Sequence, residues 1–435
     1  MKTSVPITER RYVVPLVLVT SLFFVWAIGV NSNDILIQHF KKAFGLTDFQ
    51  SSLIQSAFFG GYFLAALPAG WLMQKLGYKR GILIGLLICA TGTILFIPAA
   101  SVRIYGFFLF ALFVMACGQS FLEVAANPYV TTLGPEQSSE RRLNLAQSFN
   151  AMGAVLVALL GSRFILSGIE HTPGELAAMS PAQLTAYQIS EANMVKIPYV
   201  FITAVFLFVA LLIWMTKLPE IREEHAGKAA AAKLSGALAH PHLIKGVIAQ
   251  FLYVGAQVGV ASFIIRFTEF TLPGTHEKSA AHYLQAHLLG FMIGRFAGSA
   301  IMQRIAAPRL LGLFAGGSVI SLIVVLLTTG TAPAWAVVLI GFFHSIMFPT
   351  IFALSLKNLG PYTKLGSSLL VMSIIGGAVC PAVMGRISDA WNIQRAFFIP
   401  LVCHAYIFYF AIWGYRPAAA PDSPAAMAVP AAEAE

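Results

Sequence analysis

The chain has 435 residues, of which 58% are hydrophobic and only 11% are charged, whereas about 25% of the residues of a soluble domain are charged. These proportions exclude an ordinary water-soluble fold. The net charge of +10 does not indicate nucleic-acid binding, because the basic residues lie in short loops between apolar segments, as they do in membrane proteins.

Apolar segments of the length that crosses a bilayer, about 20 residues, recur along the chain. The first run, Tyr12 to Val30, is too long for the apolar core of a cleavable signal peptide. Bounded by glycine, proline and charged residues, the segments predict twelve transmembrane helices at 12–38, 50–73, 80–100, 104–130, 144–167, 196–216, 243–268, 280–303, 309–329, 333–356, 365–388 and 394–415. The sequence therefore predicts an all-helical membrane protein.

Polar segments divide the predicted helices into two groups of six. Residues 217–242 carry charges of both signs and an alanine-rich stretch, which predicts a cytoplasmic linker between a bundle at 1–216 and a bundle at 243–415. Residues 416–435, rich in alanine and proline, are typical of a disordered tail. Most Lys and Arg residues fall in loops on the side of the termini, so we expect both termini in the cytoplasm.

The two halves share a weak internal repeat. Residues 70–80, after the second helix, resemble residues 298–309, after the eighth. Leu133-Gly-Pro135 after the fourth helix matches Leu359-Gly-Pro361 after the tenth. Both matches imply nearly the same step, about 226–229 residues. Internal duplication, with a binding site at mid-membrane between the halves, is the architecture of many secondary transporters.

Motifs along most of the chain resemble a known family. Residues 70–80 resemble the loop signature of the major facilitator superfamily, although Gln74 occupies its acidic position. The external stretch Met179–Tyr187, in a polar loop predicted to hold a short helix capped by Ser180, favours the L-fucose:proton symporters. The motifs that resemble the fucose permease and glucose/galactose transporter group are Asn31–Leu36, Gln55–Tyr62, Leu122–Tyr129, Arg142–Gln147, Tyr253–Gln257 and Phe348–Phe352.

This resemblance implies a fold of two pseudo-symmetric six-helix bundles around a cavity that opens alternately to each side. It also implies a monomer in the lipid bilayer of a bacterial inner membrane. The expected activity is import of a neutral hexose or deoxyhexose, with L-fucose favoured, driven by proton symport. A sodium-coupled or uncoupled transporter of glucose, galactose or N-acetylglucosamine is the alternative.

Asp34 is the first candidate for proton coupling. It follows Asn31 late in the first predicted helix. An ionised carboxylate within a bilayer costs several kcal/mol, so an acid at that depth is a functional-site candidate. The alternative is an interfacial acid at a frayed helix end, because Lys41 and Lys42 indicate that the membrane edge is near.

Glu123 lies deeper, in the fourth predicted helix, and Asn127 follows four residues later on the same helix face. A carboxylate and an amide together suit the hydroxyls of a sugar, which both donate and accept hydrogen bonds. The alternative is a structural acid paired with Arg163. In the family resembled, the acids that match Asp34 and Glu123 are implicated in proton coupling and sugar binding.

Other predicted sugar contacts are polar or aromatic residues on shared helix faces. Gln147 and Asn150 form a stripe on the fifth helix, with interhelical hydrogen bonds as the alternative. His344 occupies the repeat position of Glu123, and a neutral histidine bonded to a neighbouring helix is its alternative. The further candidates are Asn31, Gln250, Gln257 and the aromatic rings of Phe348 and Trp26, for which simple packing is the alternative.

Three arginines are predicted to gate the passage. Arg141 and Arg142 lie close in sequence to Glu136 and Glu140, which predicts ion pairs at the inner end, with a solvated face as the alternative. Arg295, near the inner end of the eighth helix, is predicted to tie loops shut in one conformation.

No metal site or cofactor is expected. The four cysteines lie in apolar segments without metal-ligand spacing. The sequence also lacks the short motifs of zinc proteases, nucleotide-binding loops and serine hydrolases, so an enzyme or a receptor is only a distant alternative to a transporter.

Overall fold

A computed structural model describes residues 5–44, 48–102, 104–165, 175, 178–194, 196–219 and 233–417. Within these ranges, the side chains at 29–30, 32–44, 48–52, 158–165, 188, 190–194 and 277–278 are not described. The described residues are helical and contain no strand. The first half comprises α1 Val13–Phe44, α2 Asp48–Val102, α3 Tyr105–Thr132, α4 Ser139–Ile165, α5 Pro181–Met194 and α6 Lys196–Met215.

The second half follows a short helix, α7 Leu234–Leu238, that lies within the predicted linker. It comprises α8 Pro241–Thr271, α9 Glu277–Ile301, α10 Ala307–Leu327, α11 Thr331–His344, α12 Met347–Ser355, α13 Thr363–Met372, α14 Gly376–Ala390, α15 Ile393–Ala396 and α16 Phe398–Tyr409. Short 3₁₀ helices occur at Arg10–Tyr12, Glu136–Ser138, Gly360–Tyr362 and Ser373–Ile375, and a π-helical turn, Phe410–Gly414, ends the last helix.

Twelve passes, as predicted from the sequence, account for these helices. In the described ranges, nine helical segments are long and apolar enough to cross a membrane. One of them, Leu53–Val102, has 50 residues and bends at Gly77, whose φ of 81° suits glycine because it has no Cβ; this segment makes two passes. The remaining two are α4 and α9, which correspond to the segments predicted at 144–167 and 280–303.

The polar loop at 169–196 contains the predicted short helix. In α5 the backbone N–H of Gln183 donates to the Ser180 hydroxyl at 3.3 Å, and the Ser180 N–H donates to the Gln183 side chain at 3.0 Å. This reciprocal pair of bonds is a capping box, and it confirms that serine caps the helix. Residues 220–232 and 418–435 lie outside the described residues, so most of the predicted linker and the tail remain predictions.

One end of the molecule carries both described chain ends, and we call it the terminal face. It comprises residues 5–12, the loops 133–138 and 356–362, and residues 410–417. The Arg142 guanidinium donates to the Ile7 carbonyl at 2.9 Å, which joins the N-terminal residues to the first loop. The Tyr406 hydroxyl donates to the Lys245 carbonyl at 3.4 Å, which places the last helix beside the start of α8.

The two halves contact each other from this face to mid-depth. Glu140 on α4 forms an ion pair with Lys357, in the loop after α12. Deeper, the Asn144 amide donates to the Thr350 hydroxyl at 3.1 Å. The Ser367 hydroxyl of α13 donates to the Val124 carbonyl of α3 at 3.0 Å, so the terminal face is closed.

Candidate functional site

A break in one helix exposes backbone at mid-depth between the halves. Helix α11 ends at His344, and α12 begins three residues later at Met347. The His344 carbonyl accepts a hydrogen bond from the Tyr253 hydroxyl of α8 at 2.9 Å, which replaces the helical partner that the break removes. Such interrupted helices commonly border the substrate sites of transporters.

A polar chain crosses from one half to the other at this depth. The Gln147 side chain donates to the Asn127 amide oxygen at 3.2 Å. The Arg295 Nη1 atom of α9 donates to the Gln147 backbone carbonyl at 2.6 Å and to its side-chain Oε1 at 2.9 Å. Arg295 is only 5% exposed, so its charge is held within the protein by groups of the opposite half.

Glu123 lies beside this chain, one helical turn before Asn127. Its side chain is buried, its Oε2 atom has no hydrogen-bond partner, and it forms no ion pair with a described basic residue. The positive charge of Arg295 acts on it. The side chain of Arg163, the partner weighed from the sequence, lies outside the described side chains.

Unpaired buried polar atoms are concentrated around these residues. Buried polar groups normally have partners, and leaving one unpaired costs about 1–3 kcal/mol. At the centre of the molecule the unpaired atoms are Gln119 Nε2, Glu123 Oε2, Asn127 Nδ2, both side-chain amide atoms of Gln250, Arg295 Nε, His344 Nδ1 and Ser345 Oγ. Donors and acceptors are therefore intermixed in one place, as a polar uncharged ligand requires.

Sequence reasoning assigned no role to three residues of this centre. The Tyr62 hydroxyl donates to Gln119 Oε1 at 3.4 Å, and Tyr253 supports the helix break. Gln119 precedes Glu123 by four residues, so the helical spacing could have identified it as part of the same face. Tyr62 and Tyr253 lie within recognised motifs, but only tertiary packing brings them to the centre.

The other predicted sugar contacts are three amide side chains and three rings. Asn31 and Asn150 donate within the first half, to the Ala27 carbonyl at 2.7 Å and the Phe23 carbonyl at 3.2 Å. For Asn150 this is the interhelical bond that was the alternative. Gln257 is partly buried on α8, seven residues after Gln250.

Three ring-bearing candidates are almost wholly buried. His344 bonds to His404, Phe348 packs near Tyr253, and Trp26 packs against Phe23. The Asp34 side chain lies outside the described side chains, so its role in proton coupling remains a prediction.

The ion pairs predicted on α4 differ from the observed ones. Glu140 pairs with Lys357 of the opposite half rather than with Arg141 or Arg142. Positions two apart on a helix point to different faces, so Arg142 extends away from the Glu140 contact. It donates instead to backbone carbonyls at the end of α3, including Val130 at 2.9 Å, where the helix dipole favours a cation.

The sequence and the fold are similar to those of known transporters. The Major Facilitator Superfamily matches residues 17–372. The chain is 45% identical over 409 residues to the L-fucose-proton symporter of Escherichia coli, covering 93% of both chains. It is 41% identical over 426 residues to a glucose/galactose transporter of Brucella abortus, covering 96% of this chain and 100% of that one.

The similarity extends to solved structures. A crystal structure of the transporter FucP in the outward conformation matches with a TM-score of 0.87 at 44% identity, covering 93% of this chain and 99% of that one. The proton:xylose symporter XylE matches with a TM-score of 0.68 at only 10% identity, a likeness of fold alone. The chain belongs to the Major Facilitator Superfamily.

Proposed function

We propose that the protein is a secondary active transporter that imports a neutral hexose or deoxyhexose, with L-fucose favoured, by proton symport with alternating access. The observation that carries this proposal is the group of unpaired donors and acceptors around Glu123, between the two halves. The E. coli relative that is 45% identical is named an L-fucose-proton symporter, which supports both the substrate class and the coupling ion.

The balance of charge in the centre favours a neutral substrate. One carboxylate, Glu123, faces one guanidinium, Arg295, so neither sign is left in excess for a charged ligand. The unpaired amides of Asn127 and Gln250 offer both donors and acceptors, and each sugar hydroxyl can bond to either kind. An ionic substrate would instead require an unbalanced charge.

Glu123 is well placed to couple a proton to the movement of the halves. When ionised it attracts Arg295, which lies on the opposite half and bonds to Gln147. Protonation removes that attraction and converts the carboxylate, an acceptor only, into a group that can also donate to the substrate. Asp34 is proposed to be the second coupling acid, on the basis of the family resemblance.

The orientation follows from the distribution of basic residues. We infer that the terminal face is cytoplasmic, because most Lys and Arg residues of the predicted loops fall on the side of the termini. With that face closed by Glu140 and Lys357, the substrate would enter from outside. The solved relative with the outward conformation supports this orientation. We propose that the protein lies in a bacterial inner membrane and acts as a monomer.

A second candidate is a sodium-coupled or uncoupled glucose/galactose transporter. The B. abortus relative carries the name glucose/galactose transporter at 41% identity. A carboxylate with neighbouring amide oxygens, such as Glu123 with Asn127, can also bind a hard cation.

Uptake into proteoliposomes tests both candidates. The purified chain is reconstituted and offered L-fucose, D-glucose, D-galactose, D-mannose and N-acetylglucosamine, with and without an inward proton gradient, in sodium and in potassium buffer. We expect the proton gradient alone to drive accumulation of L-fucose. Accumulation that requires sodium would favour the second candidate, and no gradient-driven accumulation of any sugar would exclude the first.

A further inference from the structure

Two buried histidines of the second half form a hydrogen-bonded pair. His344 ends α11 and His404 lies in α16, and neither is exposed. Their Nε2 atoms are 2.9 Å apart, and the ring planes differ by 8°. A contact of this length between two imidazole nitrogens is a hydrogen bond in which one nitrogen carries the proton and the other accepts.

The surroundings of His404 decide which nitrogen donates. Its Nδ1 atom lies 2.7 Å from the Pro400 carbonyl oxygen, which can only accept, so Nδ1 carries the hydrogen. A neutral imidazole has one N–H, and therefore His404 Nε2 accepts. It follows that His344 donates through Nε2, which leaves its own Nδ1 as a pure acceptor.

The pair has no counter-ion that would favour an added proton. No described acid forms an ion pair with either ring. The groups that face His344 are His287, with ring centroids 6.1 Å apart, and Tyr253, at 5.8 Å. The positive charge of Arg295 acts on Tyr253. An imidazolium buried among such neighbours is unfavourable, so the neutral pair with its defined tautomers is retained.

The acceptor that results belongs to the central group of unpaired atoms. His344 Nδ1 is buried and has no partner. The same residue's carbonyl is bonded to Tyr253, and Gln250, one turn earlier on α8, has neither amide atom paired. These residues supply the polar lining of the second half, opposite Glu123 and Asn127 of the first.

We infer that His404 is a positioning residue for substrate: it fixes His344 in the tautomer whose Nδ1 accepts a hydrogen bond from one sugar hydroxyl. The inference rests on the proposed sugar transport. Because His344 Nδ1 can only accept, the sugar hydroxyl that contacts it must donate the hydrogen bond. A fluorine at the same sugar position cannot donate and would lose the bond.

The test compares transport of a sugar with that of its monofluoro analogues, one for each hydroxyl. Michaelis constants are measured in proteoliposomes for the wild type, His404→Leu, His404→Gln and His282→Leu. Leucine removes the acceptor, glutamine keeps a side-chain oxygen that can accept, and His282 is an exposed histidine on α9 that serves as the control.

In the wild type we expect fluorine at one position to raise KM about tenfold, the effect of one hydrogen bond. In His404→Leu that penalty should fall to about twofold while the other positions keep theirs, and His404→Gln and His282→Leu should behave as the wild type. The same fluorine profile in His404→Leu and the wild type would overturn the inference.

A second measurement uses the unaltered protein, in case His404→Leu does not fold. Nitrogen-15 NMR of labelled histidines should show the hydrogen of His404 on Nδ1 and that of His344 on Nε2. The opposite tautomers would overturn the inference while leaving sugar transport intact. Conversely, a wild type with these tautomers that transports no sugar would refute the proposed function, and the assignment of His404 with it.

Discussion

At the scale of single residues, substitution of either proposed coupling acid should separate gradient-driven accumulation of sugar from sugar exchange. Replacing Glu123 by Gln keeps the size of the side chain but removes the titratable group. We expect Glu123→Gln and Asp34→Asn to abolish accumulation driven by a proton gradient, while exchange of sugar across the membrane continues because it needs no net proton movement. Uptake and counterflow in proteoliposomes measure the two activities.

The control for this prediction is Glu136→Gln. Glu136 is exposed on the terminal face, so its substitution should leave both activities unchanged. If Asp34→Asn accumulates sugar fully, Asp34 has no part in coupling. If Glu123→Gln does so, the coupling role proposed from its burial opposite Arg295 is refuted.

Arg295 combines a charge with a directional contact, and substitutions can separate the two. Its Nη1 atom bonds to both oxygens of Gln147, and its charge acts on Glu123. We expect Arg295→Gln to lower initial uptake more than tenfold. Arg295→Lys should retain part of the activity, because lysine keeps the charge without the planar two-bond geometry.

Initial rates of L-fucose uptake distinguish these outcomes. Arg304→Gln is the control, because the Arg304 side chain is exposed. Equal rates for Arg295→Gln and Arg295→Lys would show that the charge opposite Glu123 is unimportant.

At the scale of secondary-structure elements, hydrogen bonds from Arg142 connect the end of α3 to the N-terminal residues. It is wholly buried and donates to the carbonyls of Val130, Ile7 and Pro135. We expect Arg142→Ala to lower the free energy of unfolding by about 3–5 kcal/mol, since several buried carbonyls lose their partner.

Thermal unfolding in detergent provides the measurement. Arg141→Ala is a close control, because the neighbouring side chain is only partly buried and should contribute less than about 0.5 kcal/mol. Similar losses of stability in the two variants would contradict the capping role of Arg142.

Single elements also show what the sequence could predict. Long apolar runs predicted all twelve passes, and the relation of Gln119 to Glu123 follows from helical spacing alone. The partners of Arg295 and His344 could not be predicted, because they depend on how α9 and α11 rotate against helices distant in the chain. For the same reason Glu140 was matched with its sequence neighbours, although its partner is Lys357.

At the scale of the whole molecule, alternating access requires the contacts of the terminal face to break. The Glu140 and Lys357 pair contributes about 1–3 kcal/mol to the closed state, because the Glu140 side chain is only 6% exposed and that of Lys357 31%. We expect Glu140→Lys to open the terminal face and the exchange Glu140→Lys with Lys357→Glu to restore closure.

Distances between spin labels on residues 137 and 358, which lie in opposite halves on this face, report the two populations. If Glu140→Lys has the distance distribution of the wild type, the ion pair does not hold the face closed. Failure of the double exchange to restore the short distance would show that Glu140 acts through other neighbours.

Close packing of small residues on the same face leads to a prediction that does not depend on charge. A Cβ atom on Gly70 of α2 would overlap the Ser368 hydroxyl and lie 3.0 Å from the Lys364 carbonyl of α13, whereas a Cβ on Gly60 of the same helix would meet nothing within 4 Å. Gly70→Val should therefore separate the halves at the terminal face, while Gly60→Val should not.

The labels at 137 and 358 measure this effect as well. We expect a longer distance in Gly70→Val than in Gly60→Val, together with slower gradient-driven uptake, because a molecule that cannot close this face cannot return its site to the opposite side. An unchanged distance in Gly70→Val would mean that α2 and α13 tolerate the added volume by local adjustment. The closed terminal face would then be held by its polar contacts rather than by the fit of its helices.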